Sequence, residues 1–293
     1  LVALERLGKG FRSPAKSTLT SFAASDLGAG KAFAINEAMD QAGALLGPLA
    51  VAGVLAWKGR TLAGFGWAFV LLAIPAALSV IVLLRARRLY PDPRSLEGDH
   101  PHEGGRLGPS YTAYLVGVAL IAIGLSDWPL IAYHLEKQHM LSVQWLPIAY
   151  SAAMAVDGVV SLGAGLLFDR NRARGGTGAA VLAVFVFAGC AYGLLAFTTS
   201  FTIAIAGIAL WALVHAATNS IGKAMIAAIV PRAQRGRAYG VYYVVFGLAW
   251  WGGSVMLGWL YDHDRVDCGI LAGVSLVLGA GAVMWSGRRA KSA

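Results

Sequence analysis

The chain has 293 residues, of which 57% are hydrophobic and only 13% are charged. A water-soluble domain has about a quarter of its residues charged, so this composition excludes an ordinary soluble enzyme and a disordered chain. The two cysteines are too few for a disulfide framework. The formal net charge of +9 would suit nucleic acid, but the positions of the basic residues indicate a membrane topology instead.

Apolar runs long enough to cross a bilayer recur along the whole chain. One transmembrane helix needs about 20 predominantly apolar residues. Runs of this kind lie at 31–56, 65–84, 112–133, 144–168, 177–198, 203–229, 238–260 and 268–287. Because these runs are too long and too continuously apolar for barrel strands, the sequence predicts an all-α membrane protein with eight full spans.

Basic residues are concentrated in every second loop. The segments on one side of the predicted spans contain seventeen Lys and Arg residues, and the opposite loops contain four. The seventeen lie in 9–30, 85–111, 169–176, 230–237 and 288–293. Since Lys and Arg collect in cytoplasmic loops, the pattern predicts a cytoplasmic C-terminus and a location in the plasma membrane, which is the inner membrane in a bacterium.

The sequence is also similar to itself at a distance of 206 residues. Gly30–Ala34 and Gly236–Gly240 open two spans from the same side, and Gly47 corresponds to Gly253 at the same offset. Weak similarity at such a long period is typical of the two halves of a transporter. The equal orientation of the two copies predicts a parallel repeat.

Three segments resemble signatures of the major facilitator superfamily. Glu5–Pro14 resembles the end of that family's fourth helix and the turn after it. Gly43–Pro48 is similar to the fifth-helix signature of antiporters, and Gly165–Arg174 resembles the loop signature between the eighth and ninth helices. Val51 and Ala52 stand where the fifth-helix signature has a glycine pair. Arg172 and Ala173 stand where the loop signature has a glycine and a basic residue.

The resemblance implies two six-helix bundles with helices six, nine and twelve outermost. Residues 1–90 then form the rest of an N-terminal bundle, from the end of helix four through helix six. Residues 91–108 form a cytoplasmic linker, and residues 109–293 form the C-terminal bundle. By this alignment we expect a chain that lacks about three and a half spans of a twelve-helix protein.

Polar residues inside the apolar runs predict a pathway through the protein. A charge at membrane depth costs a few kcal/mol or more, so such a residue faces protein or water. Spacing of four places one set on a single helix face, which we interpret as the wall of an aqueous cavity. That set is Trp211, His215, Asn219 and Lys223, and the other candidates are Asp40, Asp127, Asp157, Tyr243 and Trp250.

Plainer interpretations exist for several of these residues. The long side chain of Lys223 could simply extend to the membrane interface. Asp157 could be a structural carboxylate that accepts hydrogen bonds between helices. The aromatic stripe that includes Tyr243 and Trp250 would simply pack between helices. Glu37 lies close to the end of its span, and we interpret it as interfacial.

Counting residues from the positive-side helix ends places four candidates at similar depth. We therefore expect Asp40, Asp157, Asn219 and Lys223 to meet in the cytoplasmic half of one cavity, with a carboxylate beside the buried lysine. A carboxylate in a cavity of low dielectric can bind and release a proton near neutral pH. Our hypothesis is that Asp157, or otherwise Asp127, carries the coupled proton.

A gate is predicted where a carboxylate meets a helix start. Asp169 ends one span on the side where the span near Gly30 begins with unpaired N–H groups. We expect Asp169 to bind there, near Lys31 or Arg12, as a lock between the two halves, unless its segment is only a charged turn that sets topology. The predicted gating residues are Asp169, Arg170, Gly43, Gly47 and Pro48.

Together these features predict secondary active transport by alternating access. The expected form is proton-coupled efflux of a lipophilic or drug-like compound by antiport, with uptake by symport as the alternative. An enzyme or a sensor is disfavoured, because no nucleophile and base are clustered within the spans. His134 and His139 flank Glu136 without the helical spacing of metal ligands, so no metal site is expected.

The predicted energy source is the proton gradient rather than a cofactor. The sequence contains no phosphate-binding glycine loop followed by Lys-Ser or Lys-Thr, so no cofactor is expected. The expected partners are a small-molecule substrate, protons and the lipid bilayer. We expect no nucleic-acid partner and a monomeric protein.

Overall fold

A computed structural model describes residues 2–24, 27–59, 61–89 and 107–292, which are almost entirely helical and contain no β-strand. Most of the predicted linker 91–108 lies outside these residues. The helices in the described ranges are α1 (Val2–Ala23), α2 (Ala29–Lys58), α3 (Leu62–Leu89), α4 (Pro109–Gly124), α5 (Trp128–Lys137), α6 (Leu146–Ala173), α7 (Ala179–Ala188), α8 (Tyr192–Ala196), α9 (Phe201–Asn219), α10 (Ile221–Ile229), α11 (Arg235–His263) and α12 (Arg265–Ser292).

Eight helical segments of the described chain are long and apolar enough to cross a membrane. They are Ala29–Lys58, Leu62–Leu89, Pro109–Lys137, Val143–Ala173, Ala179–Ala196, Phe201–Ile229, Arg232–His263 and Arg265–Ala290. Each contains or nearly matches one predicted span, so the prediction of an all-α protein with eight helical segments long and apolar enough to cross a membrane is confirmed. Three of the segments are interrupted, between α4 and α5, α7 and α8, and α9 and α10.

The first helix differs from the prediction. The turn expected within Glu5–Pro14 is absent, because Val2–Ala23 is one continuous helix with Pro14 inside it. A proline removes one backbone hydrogen bond from a helix. The helix nevertheless continues through Pro14, and α1 packs against α2 and α11.

The long helices α2 and α6 pack along each other and join the N-terminal and C-terminal parts of the described chain. Their closest approach is at Gly165, where an added Cβ would lie 2.5 Å from both the Cβ of Ala34 and the carbonyl oxygen of Gly30. At Gly43 and Gly47, two of the predicted gating residues, an added Cβ would meet nothing within 4 Å among the described residues, so their gating role stays a prediction.

The predicted spans 65–84, 177–198 and 268–287, which contain no charged residue, occupy different environments. α3 packs mainly against α2 and exposes most of its side chains, as expected for an outer helix. α7, α8 and α12 pack more tightly, and α12 contacts α4 closely and buries Ala272 and Leu276 completely. These two spans bury more of their side chains than α3 does, because small residues along them allow close packing, and none of the three spans lines the polar cavity described below.

The interruption between α4 and α5 follows from Pro129. Proline has no N–H to donate one turn back, so the carbonyl of Leu125 is left free. The indole of Trp250 donates to this carbonyl at 3.1 Å, and the indole of Trp211 donates to the carbonyl of Ser126 at 2.8 Å. Side chains from α11 and α9 thus replace the missing helical hydrogen bonds, as the bilayer interior requires.

Substitution of Gly165 tests the crossing of α2 and α6. We expect Gly165→Ala to lower the stability by about 1–3 kcal/mol, because its methyl group would overlap the backbone of α2. The measurement is the midpoint of thermal unfolding of the purified protein in detergent. Gly163→Ala is the matched control on the same helix, since its Cβ meets nothing within 4 Å. Equal midpoints for the two variants would contradict the crossing.

Candidate functional site

A cavity of about 140 Å³ opens between the N-terminal and C-terminal helices. Its walls come from α1, α2, α9, α10 and α11, at the end of the bundle that the basic loops predict to be cytoplasmic. Every lining residue except Phe246 has a polar or charged side chain. Such a lining needs water or a polar ligand inside it, because unpaired polar groups are costly at membrane depth.

The least exposed charge pair beside this cavity joins α10 to α2. The Nζ of Lys223 lies 3.1 Å from Oε2 of Glu37, and the side chains are 12% and 6% exposed. The amide of Gln41 donates to the other carboxylate oxygen of Glu37 at 2.8 Å. The interpretation of Glu37 as interfacial is therefore wrong. Its spacing of four residues from Gln41 was the available signal for a shared polar face.

A second, more exposed pair joins α1 to α2. The Nζ of Lys16 lies 3.1 and 2.8 Å from the two carboxylate oxygens of Asp40. Both residues line the cavity, as does Lys223. Asp40 is thus correctly placed at the cavity, but the expectation that Asp40 or Asp157 pairs with Lys223 is wrong. Glu37, three residues earlier on α2, occupies that position instead.

The next polar group along the stripe is a buried carboxylate beside a partly buried imidazole. Nδ1 of His215 lies 2.6 Å from Oδ2 of Asp157, whose side chain is fully buried. The hydroxyl of Ser161 donates to Oδ1 of Asp157 at 3.3 Å. The amide of Asn219 donates to Nε2 of His215 at 3.1 Å, so the ring hydrogen lies on Nδ1 and donates to Asp157. Asn219 itself lines the cavity.

The predicted face of α9 is therefore a continuous row of contacts. The rings of Trp211 and His215 lie 5.1 Å apart, and Asn219 follows His215 as described. The helix is interrupted at Ser220, where the side-chain hydroxyl donates to the carbonyl of Ala216 at 2.6 Å. Although Lys223 follows this interruption, it lines the same cavity as Asn219. Asp40, Asn219 and Lys223 thus meet as predicted, whereas Asp157 does not line the cavity and is connected to it through His215 and Asn219.

Asp127 lies at a different site. It lines a cavity of about 350 Å³ with Pro129, Ser254 and Asp262. The hydroxyl of Ser254 donates to Oδ2 of Asp127 at 3.1 Å. Because this cavity includes residues near the ends of α5 and α11, it lies away from the cavity at Lys223. The structure does not bring Asp127 together with Asp157.

The aromatic stripe of α11 is divided between two surroundings. Tyr243 and Phe246 line the cavity at Lys223, as expected for a substrate pathway. Tyr239 is fully buried and its hydroxyl donates to the backbone carbonyl of Lys223 at 3.0 Å. Trp250 binds the backbone at the interruption between α4 and α5. Only two of these four aromatic residues therefore line the described cavity.

The expected contact of Asp169 with a helix start is present. Its two carboxylate oxygens each accept a hydrogen bond of 2.8 Å, from the backbone N–H groups of Gly30 and Lys31. The preceding Gly28 has a φ of 94°, and a Cβ there would lie 2.5 Å from Asp169. The contact is confirmed, while its role as a lock stays a prediction. Arg170 points outward and is exposed.

The chain is similar to proteins of mycobacteria. It is 34% identical over 285 residues to Uncharacterized protein Mb2288 of Mycobacterium bovis and to Uncharacterized protein Rv2265 of Mycobacterium tuberculosis. Each match covers 95% of this chain and 67% of the relative. No family model matches the chain, and no solved structure matches it significantly.

Neutralising Glu37 tests the buried pair. We expect Glu37→Gln to lower the stability by about 3–5 kcal/mol, because the substitution leaves the charge of Lys223 buried without a carboxylate. Asp40→Asn is the matched control, and because its pair is exposed we expect a loss of at most about 1 kcal/mol. Thermal unfolding in detergent measures both. A double variant with Lys223→Met should recover most of the loss, and failure to recover would contradict the pairing.

Removing the charge of Asp169 tests the lock. Asn36 lines the cavity, so Asn36→Cys in a chain without Cys190 and Cys268 provides a labelling site. We expect Asp169→Asn to increase the rate of thiol labelling from the cytoplasmic side, because the start of α2 loses a charged partner.

The matched control for this experiment is Asp264→Asn, which removes a carboxylate that accepts from the N–H of Val266 at 2.6 Å, at the start of α12. That variant should leave the labelling rate unchanged. An unchanged rate in Asp169→Asn would leave its segment with a topological role only.

Proposed function

The chain belongs to the same family as these mycobacterial relatives, and we propose that it is a secondary transporter that couples proton movement to export of a small molecule. The observation that carries the proposal is the pair of polar clusters beside one cavity, Lys223 with Glu37 and His215 with Asp157. Charges at membrane depth are costly and mark substrate or proton pathways. The transporter reading also accounts for their position between the two parts of the chain.

The cluster at His215 supplies a physical means of coupling. In the observed arrangement Asn219 donates to Nε2 of His215. When His215 gains a proton, Nε2 becomes a donor, and the amide of Asn219 must turn its oxygen toward the ring. Because Asn219 lines the cavity, protonation of a group behind the wall changes the donors presented to a substrate.

The contact of Asp169 supplies a means of closing the cytoplasmic mouth. It joins the end of α6 to the start of α2, and α2 also contributes Glu37 and Asp40 to the site. Separation of α6 from α2 would therefore move α2, together with Glu37 and Asp40, and would open the cavity. This contact and the resemblance of Gly165–Arg174 to the loop signature support a transporter of the major facilitator type.

The proposal includes a location and a state of assembly. The seventeen basic residues of alternate loops support a plasma-membrane protein with its C-terminus in the cytoplasm. We infer a monomer that uses the proton gradient and no cofactor, and that catalyses no chemical reaction. Export rather than uptake is supported by the likeness of Gly43–Pro48 to the antiporter signature.

Everted membrane vesicles with an acid interior test both coupling and direction. The full natural protein is expressed, and the vesicle pH gradient is followed by acridine orange fluorescence while ethidium, pyruvate or succinate is added outside. An exporter should release internal protons in exchange for its substrate, which restores the fluorescence. We expect Asp157→Asn to abolish this response, because His215 then lacks its carboxylate partner.

The matched control is Asp264→Asn, which removes an exposed carboxylate that accepts from the N–H of Val266 at 2.6 Å and lines neither of the two cavities. This variant should respond as the wild type does. A full response in Asp157→Asn at equal expression would contradict coupling through Asp157. Loss of preloaded compound together with protons, without exchange, would favour symport over export by antiport.

A further inference from the structure

We propose that the cavity between α1, α2, α9, α10 and α11 binds a small carboxylate, with Arg12 as its main cationic partner. The inference rests on the proposed function, because it names the substrate class for the same cavity. It names a different substrate class from the lipophilic or drug-like compound expected from the sequence, because only Tyr243 and Phe246 of the aromatic stripe line the cavity. Four properties of the lining carry it: charge, donors, apolar surface and volume.

The cavity lining contains more positive than negative charge. Arg12, Lys16 and Lys223 line it, and Asp40 is the single acidic residue among the lining residues. The two lysines are already neutralised, Lys16 by Asp40 and Lys223 by Glu37. Arg12 has no ion-pair partner within 4 Å among the described residues, so its positive charge remains for a ligand.

Two neutral groups of the lining have a hydrogen that no described protein group accepts: the amide of Asn36 and one hydroxyl of the Ser17–Tyr243 pair. Asn36 lines the cavity and makes no side-chain hydrogen bond with the described residues. The hydroxyls of Ser17 and Tyr243 lie 2.8 Å apart and share one hydrogen, so the other hydroxyl hydrogen can be donated to a ligand. A carboxylate accepts several such bonds, and it matches the planar fork of Arg12.

The volume and the one apolar wall limit the size of the acid. A cavity of about 140 Å³ corresponds to roughly five water molecules at about 30 Å³ each. Sites for drug-sized ligands are larger, about 300–1,000 Å³. The lining therefore suits an acid of about two to four carbons, with its carbon chain against the ring of Phe246.

Direct binding tests the inference without any gradient. The full natural protein in nanodiscs of phosphatidylcholine is titrated with pyruvate and with succinate by isothermal titration calorimetry. We expect Arg12→Gln to weaken binding about tenfold or more, because it removes a charge-assisted hydrogen bond. Arg12→Lys should recover part of the affinity, since it keeps the positive charge but lacks the planar guanidinium group that can donate two parallel hydrogen bonds to a carboxylate.

Arg85→Gln is the matched control, because Arg85 is an exposed arginine on α3 away from the cavity. It should bind both acids as the wild type does. Equal affinity of Arg12→Gln and Arg85→Gln for the two acids would overturn the inference. It would also be overturned if the wild type bound acetamide or ethidium as tightly as it binds the acids. The titration is repeated with phosphatidylglycerol in the nanodiscs. If this lipid abolishes the binding of acid that depends on Arg12, the occupant of the cavity is a lipid headgroup, and the inference is overturned.

The binding and vesicle experiments together distinguish a wrong carboxylate site from a wrong transport function. Binding that depends on Arg12, without proton release from vesicles on addition of the same acid, contradicts the transport function and supports the site. Proton release driven by ethidium, with no acid binding in nanodiscs, supports the transport function and overturns the carboxylate site.

Discussion

The interior of a bilayer offers no water to solvate a charge or a backbone carbonyl, and this constraint explains the three polar contacts around which the candidate site is built. Lys223 has Glu37, His215 has Asp157, and the free carbonyl of Leu125 receives the indole N–H of Trp250. Each partner comes from a different helix. The polar groups therefore determine which helices must stay adjacent, in a setting where apolar side chains pack on lipid as well as on protein.

Helix α2 connects the predicted gate with the charged site. Its first N–H groups bind Asp169, and Glu37 lies seven residues after Gly30, which is about 10 Å along the helix axis. Gly28 and Gly30 permit this contact, because a side chain at either position would overlap Asp169. A rigid helix transmits displacement of its start to the residues further along it. Movement at Asp169 is thus coupled to the position of Glu37 and of its partner Lys223.

Large aromatic residues near the site act as hydrogen-bond donors as well as packing groups. Tyr192, Trp211 and Trp250 donate to the carbonyls of Gly124, Ser126 and Leu125, where α4 ends before α5. Trp211 also contacts the ring of His215. Trp211 therefore contacts both the interruption between α4 and α5 and the imidazole of His215, and so connects the polar site to the backbone at this interruption.

The positions of the spans, the all-α fold and the contact of Asp169 with the start of α2 were determined by the sequence alone. Long apolar runs and the side on which each helix begins are properties of the linear chain, and they place Asp169 and Gly30 at one end of the bundle. Only the tertiary structure decided that Glu37, and not Asp40, meets Lys223. Three residues of α-helix change the height by about 4.5 Å and the direction by about 60°, so counting depth along the chain does not distinguish the two carboxylates. Their direction depends on how α2 is rotated against α6 and α10, and that rotation is set by packing at Gly165, which no single segment of sequence contains.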